Sequence, residues 1–283
     1  MSDSLLILAG VLLLAYGAVL LVVYFGQSRL LYFPDTPSRE VERTPAAIRL
    51  DFEPVSLTTG DGVVLDGWFV PAPGAERGVV AFFHGNAGNI GHRVDTLRIL
   101  NELGLATLIV DYRGYGRSGG RPSEAGTYRD AEAVWHHLVA ERDISPERIV
   151  LFGRSLGAAV AAELASRHQP GALVLESAFT SVPDLAARIY PFLPVRWLAR
   201  FRYPTAEAVA QAACPVLVIH SPDDEVIPIE HGRTVFERAR SPKRFLEIEG
   251  GHNTAFLESE RTYMEGWEAF LAAHLLAAPE TAP

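Results

Sequence analysis

The chain has a single cysteine, Cys214, in 283 residues. That excludes an intramolecular disulfide and any zinc site built from cysteine; placed before Pro215 at the head of an apolar run, the thiol reads as buried and structural. Positive charge is also scarce: 25 Lys and Arg stand against 34 Asp and Glu, for a net −9. No basic face able to neutralise many phosphates can be assembled from that balance, which argues against nucleic acid as a partner. There is no internal repeat or low-complexity tract, and the glycine-rich stretch His84–Asn89 is not a Gly-x-Gly-x-x-Gly and is followed by no Walker lysine, so a phosphate cradle is not indicated there. The histidines His92, His136, His137, His168, His231 and His274 lack metal-ligand spacing and read as surface or packing residues.

One long stretch lacks charge altogether. Leu5 to Phe25 is wholly uncharged and, as a helix, would span roughly 31 Å, the thickness of a bilayer's hydrocarbon core. No Lys or Arg precedes it, it exceeds the length of a signal-peptide core, and no Ala-x-Ala site follows, so the expectation is an uncleaved single-pass anchor over 5–25. Tyr24, Phe25, Tyr32 and Phe33 cluster at its far end as interfacial aromatics do. Arg29, Arg39 and Arg43 follow the run, which by the positive-inside rule puts the rest of the chain on the cytoplasmic side. Residues 26–47, with Pro34, Pro37 and Pro45, read as an extended linker.

What is present beyond residue 48 is alternation. Pro54–Thr59 and Val63–Val70 flank Gly60-Asp61-Gly62 and predict a hairpin. Short apolar runs follow at Val79–Phe83, Leu105–Val110, Ile149–Phe152, Leu173–Leu175, Val216–Ile219 and Phe245–Ile248. Helical stretches separate most of them, at Arg93–Leu103, Glu124–Glu141, Leu156–Arg167 and Ile229–Ala239, with a last helix over Glu258–Leu276. Apolar strands alternating with helices predict a mostly parallel sheet covered on both faces, one α/β domain over 48–276. The interval between Leu175 and Val216 is too long for a simple crossover. Pro183, Pro191, Pro194 and Pro204 divide it, and Ser181–Tyr203 reads as a small helical cap over the strand ends. That cap carries four arginines against Asp184 alone, together with Phe192, Trp197 and Phe201 as candidates for substrate contact. A helix over Pro194–Arg202 would set Arg196 and Arg200 on one stripe beside Trp197 and Phe201, a pattern suited to an anionic membrane surface, although the same aromatics also suit an acyl pocket.

Two Gly-x-Ser-x-Gly matches occur. Gly153-Arg154-Ser155-Leu156-Gly157 lies between a predicted strand and a predicted helix, the strand–turn–helix context of a nucleophile elbow. Gly116-Arg117-Ser118-Gly119-Gly120 sits in a loop shortly before Pro122, with neither element adjoining it. Ser155 is therefore the candidate nucleophile. A base and an orienting carboxylate are needed next. His252, between glycines after the last strand, is the candidate base. Asp223, Asp224 and Glu176 all follow strand ends, where ligands bind in open α/β sheets. Asp223 suits a turn after Pro222, and Asp224, closer to the helix that follows, is favoured as the acid. Two N–H donors are needed for an oxyanion: Leu156, next after the nucleophile, and Asn86, reached through the turn at Gly85. His84 reads as a structural donor behind them.

Taken in order, HGNAGN, DYRGYGRSGG, PSEAGTYRDA, GRSLGAAVA, HSPDDEVIP and EGGHN resemble the serine α/β-hydrolase superfamily, in its membrane-anchored branch of protein depalmitoylases and lysophospholipase-like esterases. The resemblance spans about residues 28–275. It implies Asp224 as the acid, Asn86 and Leu156 as oxyanion donors, a variable cap at Ser181–Tyr203, ester or thioester hydrolysis through an acyl-enzyme, and no metal or organic cofactor. A peptidase of the same fold usually carries a larger cap or an added propeller, for which no length remains; an inactive binding module would be expected to have lost triad positions that are all occupied here.

Overall fold

A computed structural model describes residues 3–275; the expected end of the last helix and of the domain, at Leu276, lies outside them. The strands are β1 (Glu53–Thr58), β2 (Val64–Val70), β3 (Gly78–Phe83), β4 (Leu105–Val110), β5 (Ile149–Arg154), β6 (Ala172–Glu176), β7 (Val216–His220) and β8 (Lys243–Glu247). They form one sheet in the order β1-β2-β4-β3-β5-β6-β7-β8. The hairpin β1–β2 is antiparallel and joins β4 antiparallel; every pairing from β4 to β8 is parallel.

The helices are α1 (Asp3–Leu31), α2 (Val94–Glu102), α3 (Glu124–His136), α4 (Leu156–Arg167), α5 (Val182–Ile189), α6 (Val195–Leu198), α7 (Thr205–Val209), α8 (Ile229–Arg238), α9 (Ala255–Glu258) and α10 (Glu260–His274). Strand alternation sorts the core into two layers. Val79, Ala81 and Phe83 of β3 face the layer holding α3, α4 and α8, while Val80 and Phe82 face α2 and α10. Both faces being covered explains why the central strands are apolar throughout. Across the second layer Phe82 stacks on Phe152 with centroids 4.6 Å apart, and Phe152 meets the edge of Trp267 at 5.2 Å. Truncating such a buried ring to Ala costs about 3–5 kcal/mol.

α1 continues six residues beyond the uncharged run, to Leu31. It has no buried residue and is the one described helix long and apolar enough to cross a membrane. Its C-terminal end is tied to the domain: the Tyr32 hydroxyl lies 2.8 Å from that of Tyr203, which is 2.9 Å from Thr127 Oγ1, and Phe33 bridges Ala87.

The cap departs from the expected helix over Pro194–Arg202. Only Val195–Leu198 is helical. Beyond it the backbone donors have other partners: Arg200 N donates to Gln27 Oε1 of α1 at 2.8 Å, and Arg202 N and Tyr203 N donate to the Glu124 carboxylate at 2.6 and 2.7 Å. Side chains from α1 and α3 thus take the N–H groups that a helix would have used. The expected Arg196–Arg200 stripe does not form; Arg196 instead pairs with Asp184 at 3.2 Å. The neck of the cap is closed by Val182 N donating to Arg202 O at 2.9 Å.

Candidate active site

Ser155 sits between β5 and α4 with φ 54° and ψ −117°. Positive φ is costly for a residue with a Cβ, of the order of 1–3 kcal/mol. The turn holds because its flanks pack backbone on backbone. A Cβ at Gly153 would lie 2.2 Å from Gly157 O, and one at Gly157 would lie 2.0 Å from Phe83 O. Ser155 N is anchored to Glu176 O at 2.9 Å, continuing the β5–β6 ladder into the turn. The hydroxyl is left at the C-terminal edge of the sheet.

His252 is brought to that hydroxyl by the loop between β8 and α9. Its Nε2 is 3.1 Å from Ser155 Oγ, and its Nδ1 is 2.8 Å from Asp224 Oδ2. A carboxylate at Nδ1 requires the proton on that nitrogen, which leaves the Nε2 lone pair to accept from the serine. Asp224 is fixed in turn by Val226 N and Ile227 N, which donate to its Oδ1 at 2.9 and 2.7 Å. Burial works against ionisation of Asp224, but the His252 hydrogen bond and charge, with the two N–H groups, outweigh it and hold the carboxyl below its ordinary range.

The other acid candidates are placed elsewhere. Asp223 is exposed, with Gly250 N 3.5 Å from its Oδ2. Glu176 is buried against Arg154, with Oε1 2.7 Å from Arg154 Nε, and accepts from Tyr263 Oη at 2.8 Å. Burial by itself would lower the Arg154 pKa, but the Glu176 charge and hydrogen bond together with Tyr263 outweigh it and raise the value. Glu176 is thus committed to a structural ion pair under the sheet edge.

Ser118, in the second Gly-x-Ser-x-Gly, is fully engaged in its loop. Its hydroxyl donates to Asp111 O at 2.6 Å and accepts from Asp66 N at 2.9 Å. His84 is buried, with Nδ1 2.7 Å from Gly85 O and Nε2 3.5 Å from Asp111 Oδ1.

The loop after β3 passes beside the elbow. A Cβ on Gly85 would be 3.5 Å from Ser155 Cβ, so Asn86 follows directly alongside the serine. Leu156 opens α4, and the N–H groups of a helix's first turn have no acceptor within the helix. The Asn86 side chain is held on both sides: Tyr115 Oη donates to its Oδ1 at 2.8 Å, and its Nδ2 donates to the carbonyl of Leu31 at the end of α1. Among the cap residues, Phe201 packs edge-on against Tyr32 at 5.4 Å, whereas Phe192 and Trp197 are 68% and 93% exposed. Among the described residues no group of three His, Cys, Asp or Glu side chains is arranged to hold a metal ion. A cleft of about 480 Å³ lined in part by Thr180, Asp184, Arg188, Glu230 and His231 has mixed charge and includes none of Ser155, Asp224 or His252.

Two contacts had no sequence signature. Glu225 Oε2 accepts the backbone N–H of His252 at 2.9 Å, tying the two loops together beside the imidazole. His220 lies beneath Asp224, with Nε2 2.8 Å from Ile227 O and 3.6 Å from Asp224 Oδ2. Burial pushes its pKa down, favouring a neutral ring that donates to Ile227 O without adding charge. Gly232 is required there, since a Cβ would lie 2.3 Å from His220 Nδ1.

Comparison with known proteins agrees with this architecture. Residues 74–207 match the family model described as serine aminopeptidase, S33. An uncharacterized protein of Mycobacterium tuberculosis is 39% identical over 268 residues, covering 94% of each chain. The alpha/beta hydrolase domain-containing protein WAV2 of Arabidopsis thaliana is 35% identical over 289 residues, covering 94% of this chain and 91% of that one. An esterase of Pyrococcus furiosus superposes with a TM-score of 0.68 at 18% identity, covering 83% of this chain and 96% of that one, a likeness of fold. By its sequence relatives and its sheet topology alike, the chain belongs to the serine α/β-hydrolase superfamily and is a hydrolase of that fold.

Proposed function

We propose that the chain is a membrane-anchored serine hydrolase that cleaves carboxylic esters or thioesters of acyl type through an acyl-enzyme. The observation that carries this reading is the continuous hydrogen-bonded chain Ser155–His252–Asp224, with links of 3.1 and 2.8 Å at the mouth of a strained elbow. Ser155 Oγ attacks the substrate carbonyl carbon while its proton passes to His252 Nε2. Asp224, held ionised, stabilises the imidazolium and keeps its orientation. The tetrahedral oxyanion is received by the N–H groups of Leu156 and Asn86. Collapse breaks the bond to the alcohol or thiol, which leaves with the proton from His252. Water, deprotonated by the same imidazole, then attacks the acyl-Ser155 ester; the carboxylic acid is released and Ser155 is restored.

The anchor, over residues 5–25, rests on a 29-residue helix with no buried residue, long and apolar enough to cross a membrane. Arg29, Arg39 and Arg43 on its C-terminal side favour a cytoplasmic catalytic domain over 48–276, linked through 26–47. Phe192, Trp197 and Phe201 remain the cap's candidates for contact with an acyl substrate, Phe201 being the one packed on the domain.

The matched family model's description favours one second reading, a peptidase acting through the same Ser155 chemistry. A fluorophosphonate probe followed by a panel of acyl esters and thioesters of rising chain length, alongside aminoacyl amides, separates the two. Labelling lost in Ser155→Ala, with turnover confined to the esters and thioesters, is the expected result. Turnover confined to the amides would establish the peptidase instead, and an unlabelled Ser155 would remove both.

A further inference from the structure

The cap backbone beyond α5 is irregular apart from the single turn of α6, yet three of its polar groups are met by side chains of α1. Tyr16 Oη donates to Phe192 O at 3.0 Å, Gln27 Nε2 donates to Leu198 O at 2.9 Å, and Gln27 Oε1 accepts from Arg200 N at 2.8 Å. Tyr16 and Gln27 stand about 16 Å apart along α1 at 1.5 Å per residue, so the cap lies along the helix over that height. This is about half the thickness of a bilayer's hydrocarbon core. The Gln27 end is the polar one: Arg200 sits 5.5 Å from the ring of Tyr24 there, and Arg29 lies in the last turn of the helix. At the other end Phe192 is alongside Tyr16, in the middle of the uncharged run. Ile189 (52%), Phe192 (68%) and Trp197 (93%) of this part of the cap are exposed to the medium.

Resting on the reading of α1 as the anchor, we infer that the cap edge from Ile189 to Leu198 is itself embedded in the lipid leaflet beside α1, with Phe192 deepest and Trp197 nearer the headgroups. Irregular backbone is tolerated at membrane depth only where its N–H and C=O groups find protein partners. Tyr16 and Gln27 supply such partners. Tyr16 is otherwise a phenol in the middle of an apolar span; here its hydroxyl satisfies a carbonyl that lipid would leave unpaired. Arg200, above Tyr24, is at the height of the headgroup phosphates, where a guanidinium is favourable. The occupant of the surface is therefore the acyl-chain region of the bilayer, and an acyl substrate would reach the cap from within the leaflet.

The test uses the full chain in phosphatidylcholine vesicles with an environment-sensitive fluorophore on one introduced thiol, at Phe192→Cys, Trp197→Cys, Val22→Cys on α1, or Glu237→Cys on the exposed face of α8. The native Cys214 is buried and its labelling is subtracted as background. Quenching by acyl-chain doxyl lipid is compared with quenching by aqueous iodide. The expected result is loss of iodide quenching and gain of lipid quenching at Val22 and Phe192, a smaller shift at Trp197, and iodide quenching alone at Glu237. Lipid quenching at Val22 with full iodide quenching at both Phe192 and Trp197 would overturn cap insertion while leaving the anchor standing. Iodide quenching at Val22 as well would remove the anchor, and the proposal with it.

Discussion

The chain contains Gly-x-Ser-x-Gly twice, and the two copies use their residues in opposite ways. At the elbow the serine bears the positive φ, 54°, and the glycines at 153 and 157 are there because strand and helix backbones approach within the space of a Cβ. Within Gly116–Gly120 the positive φ falls on the two outer glycines, Gly116 and Gly120, at 44° and 75°. There the serine hydroxyl is spent on two backbone groups, Asp111 O and Asp66 N. Ser155 keeps a hydroxyl whose partner is an imidazole at 3.1 Å. A five-residue pattern therefore specifies glycine and serine, not which of them bears the strain; the flanking elements decide that, and with it whether the serine is free to react.

Substitutions sharpen the contrast. Ser155→Ala is expected to abolish fluorophosphonate labelling and lower kcat by about 10⁶-fold, measured on a short-chain ester, since removal of the nucleophile in a triad has effects of that order. A labelled Ser155→Ala protein would break the comparison outright. Asp224→Asn should lower kcat by up to about 10⁴-fold at neutral pH, because His252 loses the carboxylate that fixes its tautomer and stabilises its charge. Steady-state kinetics with Glu176→Gln as a companion checks it; a larger loss in kcat in the companion would transfer the acid role. In Gly157→Ala the added methyl meets the Phe83 carbonyl, and the displacement of strand or helix carries Ser155 with it. A misplacement of about 1 Å can cost about 10²-fold, visible as a fall in kcat in protein whose circular dichroism is unchanged.

The loop serine should behave otherwise. Ser118→Ala leaves the Asp66 N–H without its acceptor and is expected to cost about 1–3 kcal/mol in urea unfolding, with labelling of the folded protein intact. Loss of labelling without loss of stability would overturn the assignment of the two motifs. The smallest effect is expected from Asp223→Asn, next to Asp224 but exposed: within about 0.5 kcal/mol in stability, as for most surface changes, and about twofold in kcat.

The distribution of what was legible follows from the range of the interactions. Leu156–Arg167 as a helix and Leu105–Val110 as a strand were set by local periodicity and appear with those bounds. Other boundaries moved by a few residues: the last helix, expected from Glu258, is α10 from Glu260, with Glu258 closing the short α9 before it. Ser155 and His252 were readable because the elbow and the strand-end loop each announce themselves locally. The choice among Asp223, Asp224 and Glu176 was harder, since adjacent acids in a turn look alike; their separation comes from Val226 N and Ile227 N, which turn Asp224 inward, and from Arg154, which takes Glu176.

The cap shows the limit. Pro194–Arg202 has helical spacing, but the end of α1 and Glu124 of α3, far away in sequence, take the N–H groups of Arg200, Arg202 and Tyr203. The same is true of Asn86, whose side chain is held by Leu31 and Tyr115, and of His252, whose backbone is held by Glu225. By itself the sequence determined the alternating sheet and helices, the uncharged helix and the strand–turn–helix around Ser155, because each depends on residues within a few positions of one another. Only the tertiary structure decided which carboxylate meets His252, how far the cap helix runs and that α1 is tied to both the cap and the Asn86 loop, because those outcomes depend on hydrogen-bond partners supplied by distant parts of the chain.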